Sequence, residues 1–180
     1  MHTTIPAARS APRFPRLSPR ARKTVVVAHV VSSVGWLGLT LGNLVLAVTG
    51  MNAVDPARQH AAFLAMAILG ETLLIPISLV AFASGLVLSL GAKWGLFRHW
   101  WVVAKFVLTL VAVVLTPLSS VPGLRELGSV VSAAPAGQLI DAGEYTSGLL
   151  AAGCVSSSMY LACVILTAFK PGGRTRFRRG

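Results

Sequence analysis

TVVVAHVVSSVGWLGLTLGNLVLAVTGMNAV, residues 24–54, is a run of 31 residues without one charged side chain. A helix crossing the hydrocarbon of a bilayer needs about 20 mainly apolar residues, so this stretch is long enough by itself. Three further uncharged stretches match it: 72–92, 106–124 and 145–169. Four spanning helices are therefore expected, an all-α four-helix transmembrane bundle. The composition agrees, with 54% hydrophobic and 12% charged residues among 180; soluble domains carry about 25% charged. A soluble bundle is excluded on the same ground, because buried helices seldom run beyond ~14 residues without a polar face. A cleaved secretory signal is excluded for the first run, which is about twice the length of a signal's apolar segment.

The net charge of +11 raises a nucleic-acid partner, and the placement of the basic residues argues against one. Six precede the first run (Arg9, Arg13, Arg16, Arg20, Arg22, Lys23), three surround the second connection (Lys93, Arg98, Lys105) and five follow the fourth (Lys170, Arg174, Arg176, Arg178, Arg179). Only Arg58 and Arg125 fall on the opposite side. That asymmetry is the positive-inside bias and predicts a multi-pass protein of the cell membrane with both termini cytoplasmic. Its partners are then the lipid bilayer, with anionic headgroups attracted to the basic tails, and no nucleic acid.

The chain divides accordingly into a basic, Pro-rich N-terminal tail (1–23), a four-span membrane domain (24–169) and a basic C-terminal tail (170–180). Both tails lack the apolar surface to offset ordering entropy and are expected to be disordered. Trp94, Phe97, Trp100 and Trp101 crowd the inner connection KWGLFRHWW as an aromatic belt at headgroup level would. The longest outer connection, about 119–143, contains GLRELGSVVS, which suits either a short interfacial helix or a plain loop.

At about 100° per residue, His29, Ser33, Trp36, Thr40 and Asn43 share one face of the first helix. The same spacing aligns Glu71, Ser78, Gly85 and Ser89 on the second, Lys105, Thr109, Ala112 and Thr116 on the third, and Ser156, Tyr160, Cys163 and Thr167 on the fourth. These stripes are expected to face the bundle interior. They act either as hydrogen-bonding glue between helices or as a polar path or cofactor pocket. Gly35, Gly38 and Gly42 lie opposite, where Gly38 and Gly42 make a small-xxx-small spacing that admits close helix approach within the bundle or in a homo- or hetero-oligomer. Counting rises along the helices places His29 and Lys105 together near the inner boundary and Glu71 beside Asn43 near the outer one, so a Glu71–Lys105 ion pair is not expected.

HVVSSVGWLG in the first span, with WGLFRHWWVVAKFVLTL opening the third, resembles the small four-span integral membrane proteins of unknown function common in actinobacteria. More loosely, the two features are similar to the membrane domain of copper-resistance permeases and to membrane-bound, haem-containing protoporphyrinogen oxidases. The latter resemblance implies haem b, with His29 as a candidate ligand and Lys105 as a functional lysine. In this chain LGLTLGNLVLAVTG stands where those oxidases carry an arginine and a second histidine. No other cofactor is assignable. Cys154 and Cys163, nine residues apart on one helix, fall on nearly opposite faces and suit neither a mutual disulfide nor a metal site. Catalytic signatures are missing as well: there is no phosphate loop, zinc motif or nucleophile with a base. Three functional classes remain: a non-enzymatic membrane or accessory protein, a haem- or quinone-linked redox protein using His29 and Lys105, and a small permease with a path through Glu71, Asn43 and His29.

Overall fold

The computed structural model describes residues 17–91, 96 and 99–171 and is all-α, as expected. Its helices are α1 (Pro19–Met51), α2 (Pro56–Gly91), α3 (Trp100–Leu115), α4 (Val121–Ala133) and α5 (Gly143–Phe169), with a π-helical turn at Thr116–Ser120 joining α3 to α4. Among the described residues, α1, α2, the continuous run Trp100–Ala133 and α5 are each long and apolar enough to cross a membrane. Most of the tails, together with Lys93, Trp94, Phe97 and Arg98, lies outside the described residues.

α1 begins at Pro19, five residues before the uncharged run. Ser18 caps it, its hydroxyl accepting from the Ala21 amide at 3.2 Å, and Pro19 at the first position gives up no amide the helix needs. Residues 19–23 thus belong to the helix rather than to a disordered tail. At the other end, Asn52 to Asp55 turn the chain back. The Asp55 carboxylate caps α2 by accepting from the Ala57 and Arg58 amides at 3.3 and 3.2 Å.

α2 and the third helical run both extend past the spans read from hydropathy. α2 starts sixteen residues ahead of Thr72, and the third run carries on through Arg125 and Glu126 to Ala133. GLRELGSVVS is therefore helical, but it continues the third span and packs on α2 instead of forming a loop. Pro117 and Pro122 supply no amide hydrogens here, and the π turn accommodates them, with the Val121 N–H donating five residues back to Thr116 O. α4 buries Val121, Leu124, Leu127 and Val131 on one face while Arg125, Glu126 and Ser129 lie exposed on the other.

The tightest packing sits at this end of the molecule. Phe63 and Leu127 have no exposed surface, and Met66, Leu124 and Val131 are 2% exposed. By contrast Val27, Val31 and Val34 on α1 are 62%, 66% and 65% exposed. Lipid tails are as apolar as valine, so a helix able to cross a membrane gains nothing by hiding such side chains from them. A lid closes this end: Gln59 donates to Ile140 O at 3.1 Å and accepts from Ile140 N at 2.7 Å, and His60 Nε2 donates to Gln138 O at 3.0 Å.

The glycine expectation needs correction. A Cβ at Gly38 or Gly42 would meet nothing within 4 Å, so that face is not the packed one within the bundle. Close approach occurs instead at Gly35 against Ile77, Gly50 against Phe63, Gly70 against Leu124, Gly85 against His29 and Gly153 against Leu44. The polar stripe explains the reversal: it turns toward the other helices and carries the adjacent glycines with it, leaving Gly38 and Gly42 on the outside.

Candidate functional site

Most members of the four polar stripes are buried or half-buried, with Thr167 exposed, and their hydroxyls bond mostly to their own helices. Ser32 donates to Ala28 O, Thr40 to Trp36 O, Ser78 to Ile75 O, Thr109 to Lys105 O and Thr116 to Ala112 O, at 2.7 to 2.9 Å. A hydroxyl three or four residues past a carbonyl reaches it without any second helix, so these groups are satisfied before packing begins. The cross-helix bonds within the spans come from the ionisable members.

His29 Nδ1 lies 3.0 Å from Ala81 O and 3.1 Å from Ser84 Oγ, both on α2. A carbonyl only accepts, so Nδ1 carries the proton and Nε2 is left as the basic nitrogen. Ser84 gives its own proton to Val80 O at 2.6 Å and so also accepts from Nδ1. The ring rests on the backbone of Gly85, where a Cβ would stand 2.8 Å from Cε1.

Lys105 Nζ donates to Thr167 Oγ1 at 2.7 Å, tying α3 to α5, and Thr167 donates onward to Cys163 O at 2.7 Å. Cys163 in turn lies against Thr109. The structure thus gathers His29, Ser84, Lys105, Thr109, Cys163 and Thr167 toward the basic end of the bundle.

About 10 Å farther along α1, at mid-helix, Trp36 meets Tyr160 edge to face, with centroids 5.1 Å apart and planes at 87°. Trp36 is 3% exposed. Beyond this pair lies a cavity of about 40 Å³ lined by Thr40, Asn43, Thr116, Ser120 and Ser156 among apolar neighbours. Its wall includes the π turn, a feature often found at functional sites. Asn43 Oδ1, Ser157 Oγ and Tyr160 Oη are buried with no hydrogen-bond partner among the described residues.

Glu71 stands apart from this interior. It pairs with Arg125 Nε at 3.2 Å, and the two side chains are 34% and 69% exposed. It is nevertheless next door to Asn43, since a Cβ on Gly70 would lie 3.5 Å from Asn43 Nδ2. Glu71 and Asn43 are therefore neighbours on one side of Trp36, and His29 lies on the other.

His29 is wedged against Gly85 between α1 and α2 and lines neither the cavity beside Asn43 nor a second one of about 370 Å³ beside Glu126 and Glu144. His60 is held by Gln138 O at the opposite end. Among the described residues, no group of three His, Cys, Asp or Glu side chains is placed to hold a metal ion. No family model, curated protein or solved structure matches the chain.

The lid residue Gln59 and the π turn were not singled out from sequence. The signal for the second was present: TPLSSVP sets two prolines five residues apart inside an apolar run, the spacing that one π turn absorbs.

Proposed function

We propose that the protein is a non-enzymatic, multi-pass protein of the cell membrane that conducts protons or water-sized polar solutes along its polar stripes. The path runs from Glu71 and Asn43 through the cavity, past Trp36 and Tyr160, to His29 and Lys105. The observation that carries this reading is the polar cavity beside Asn43, whose Oδ1 is buried and unpartnered. An unpaired buried carbonyl costs a few kcal/mol, and a polar space above ~10–15 Å³ accommodates a water that removes the cost. The size of the cavity limits the cargo, and the Trp36–Tyr160 contact describes a closed state. Proteoliposomes holding a pH-sensitive dye test it. The wild-type chain should dissipate an imposed pH gradient faster than empty vesicles, and Asn43→Leu, which fills the cavity with an apolar group, should slow it about tenfold or more. Wild-type vesicles no leakier than empty ones would overturn the reading.

A second reading, an accessory subunit, is favoured by one observation: the open face at Gly38 and Gly42 admits close approach of another spanning helix.

Both readings place the termini in the cytoplasm, on the charge asymmetry. A reporter that fluoresces only there should light when fused after Gly180 and stay dark when inserted beside Asp55 or Gln138. The reverse pattern would invert the topology.

A further inference from the structure

The acidic residues are as unevenly placed as the basic ones. The chain has five, Asp55, Glu71, Glu126, Asp141 and Glu144, and the structure puts every one toward the end of the bundle that holds the α1–α2 turn and the 134–142 loop. Lys105, at the other end, has no carboxylate within reach. It is a cation in the second turn of α3, whose first turn has no acidic residue, so it adds to the positive end of that helix dipole. The carboxyl end of α5 offsets part of this charge, and Thr167 Oγ1 takes one of the three ammonium hydrogens.

We infer that Lys105 and Thr167, paired across α3 and α5, bind the phosphodiester headgroup of an anionic phospholipid. Lys105 lies about 8 Å along α3 from Trp100, and Thr167 about 3 Å from the last residue of α5. Trp100 is 59% exposed and Phe169 is 79% exposed, and together they place this end of both helices at the headgroup level, where aromatic side chains settle. Lys170, exposed and three residues past Thr167, adds a second cation beside the pair. The occupant is a lipid rather than a soluble anion because Val164 and Ile165, within one turn of Thr167 on α5, are exposed and apolar. The inference shares Lys105 with the end of the proposed path, and its readout is lipid binding rather than conduction.

Native mass spectrometry of the detergent-purified full chain, titrated with phosphatidylglycerol or phosphatidylcholine, tests it. Phosphatidylglycerol should bind in preference, and Lys105→Gln should weaken it roughly fivefold, the equivalent of ~1 kcal/mol per basic residue at a membrane surface. Lys105→Arg should retain the preference, and Thr167→Val, which keeps the charge but frees the ammonium, should lose part of it. At 0.5 M salt, attraction to the basic tails is screened while the difference between wild type and Lys105→Gln should persist. Unchanged phosphatidylglycerol binding in both Lys105→Gln and Thr167→Val, or a Lys105 effect that vanishes with salt, would overturn the site. A Lys105→Gln chain that fails to fold moves the decision to Thr167→Val alone.

Discussion

Adding one methyl group at Gly50 should lower the melting temperature of the detergent-solubilised protein by roughly 5 °C, and the same change at Gly38 should leave it unmoved. The contrast follows from what each Cβ would meet. At Gly50 it collides with the Phe63 ring, which is fully buried and closes the core where α1 turns into α2. The ring has no free space to swing into, and overpacking of this kind typically costs about 1–3 kcal/mol. For a chain of this size each kcal/mol moves the transition by about 2–4 °C. At Gly38 the methyl points into open space. Gly70→Ala, directed at the buried Leu124, should behave like Gly50→Ala, and Gly42→Ala like Gly38→Ala. Equal melting temperatures across the four variants would mean that the turn end is loosely packed, against the burial of Phe63 and Leu124. A selective loss at Gly38 and Gly42 would place the close contact between copies of the chain or with another helix, as the accessory reading requires.

That contrast also marks where sequence reasoning stops. Small residues four apart show that a helix can be approached closely, but not which neighbour approaches. Gly35 differs from Gly38 by three positions, close to one turn, yet only Gly35 is met by a side chain of α2. The polar stripes were legible because each depends only on periodicity within one helix, and most of their members are buried or half-buried, although Thr167 is exposed and Glu71 turns to Arg125. The lengths of the second and third helices were not. A charge ends a hydropathy run without ending a helix, so Glu71 and Arg125 read as boundaries when in the fold they pair with each other on adjoining helices. The neighbourhood of His29 and Lys105 came from counting rises from one boundary, an argument that needs no knowledge of packing. Cavities are different: the space beside Asn43 arises where α1, α2, the π turn and α5 fail to fill a common volume, which no single segment encodes.

The Trp36–Tyr160 contact gives the interior its order. Trp36 follows His29 by seven residues and precedes Asn43 by seven, so the pair sits midway, about 10 Å from each. Polar groups above and below are separated by two aromatic rings, one of them bearing an unpartnered hydroxyl.

The largest functional effect is expected at His29→Gln. In the folded chain Nδ1–H donates to Ala81 O, which leaves Nε2 as the nitrogen able to take a proton arriving from the cavity side. Imidazole titrates near neutral pH and an amide does not, so glutamine removes the proton carrier while keeping a donor for Ala81 O. The interhelical bond is worth about 0.6 kcal/mol on average in membrane proteins and at most ~1.7, and glutamine retains much of it. The variant should therefore melt within a few degrees of wild type and lose proton conduction by roughly two orders of magnitude, the scale on which a positioned acid–base group contributes. His29→Phe separates the two roles further, since it keeps a ring against Gly85 but has neither donor nor acceptor. It should lose conduction equally and melt lower than His29→Gln. Full conduction by His29→Gln with an unchanged melting profile would reduce His29 to a packing group bonded to α2 and take the proton path out of the first helix. Loss of folding in His29→Gln would instead make the bond to Ala81 the reason a span this apolar carries a histidine.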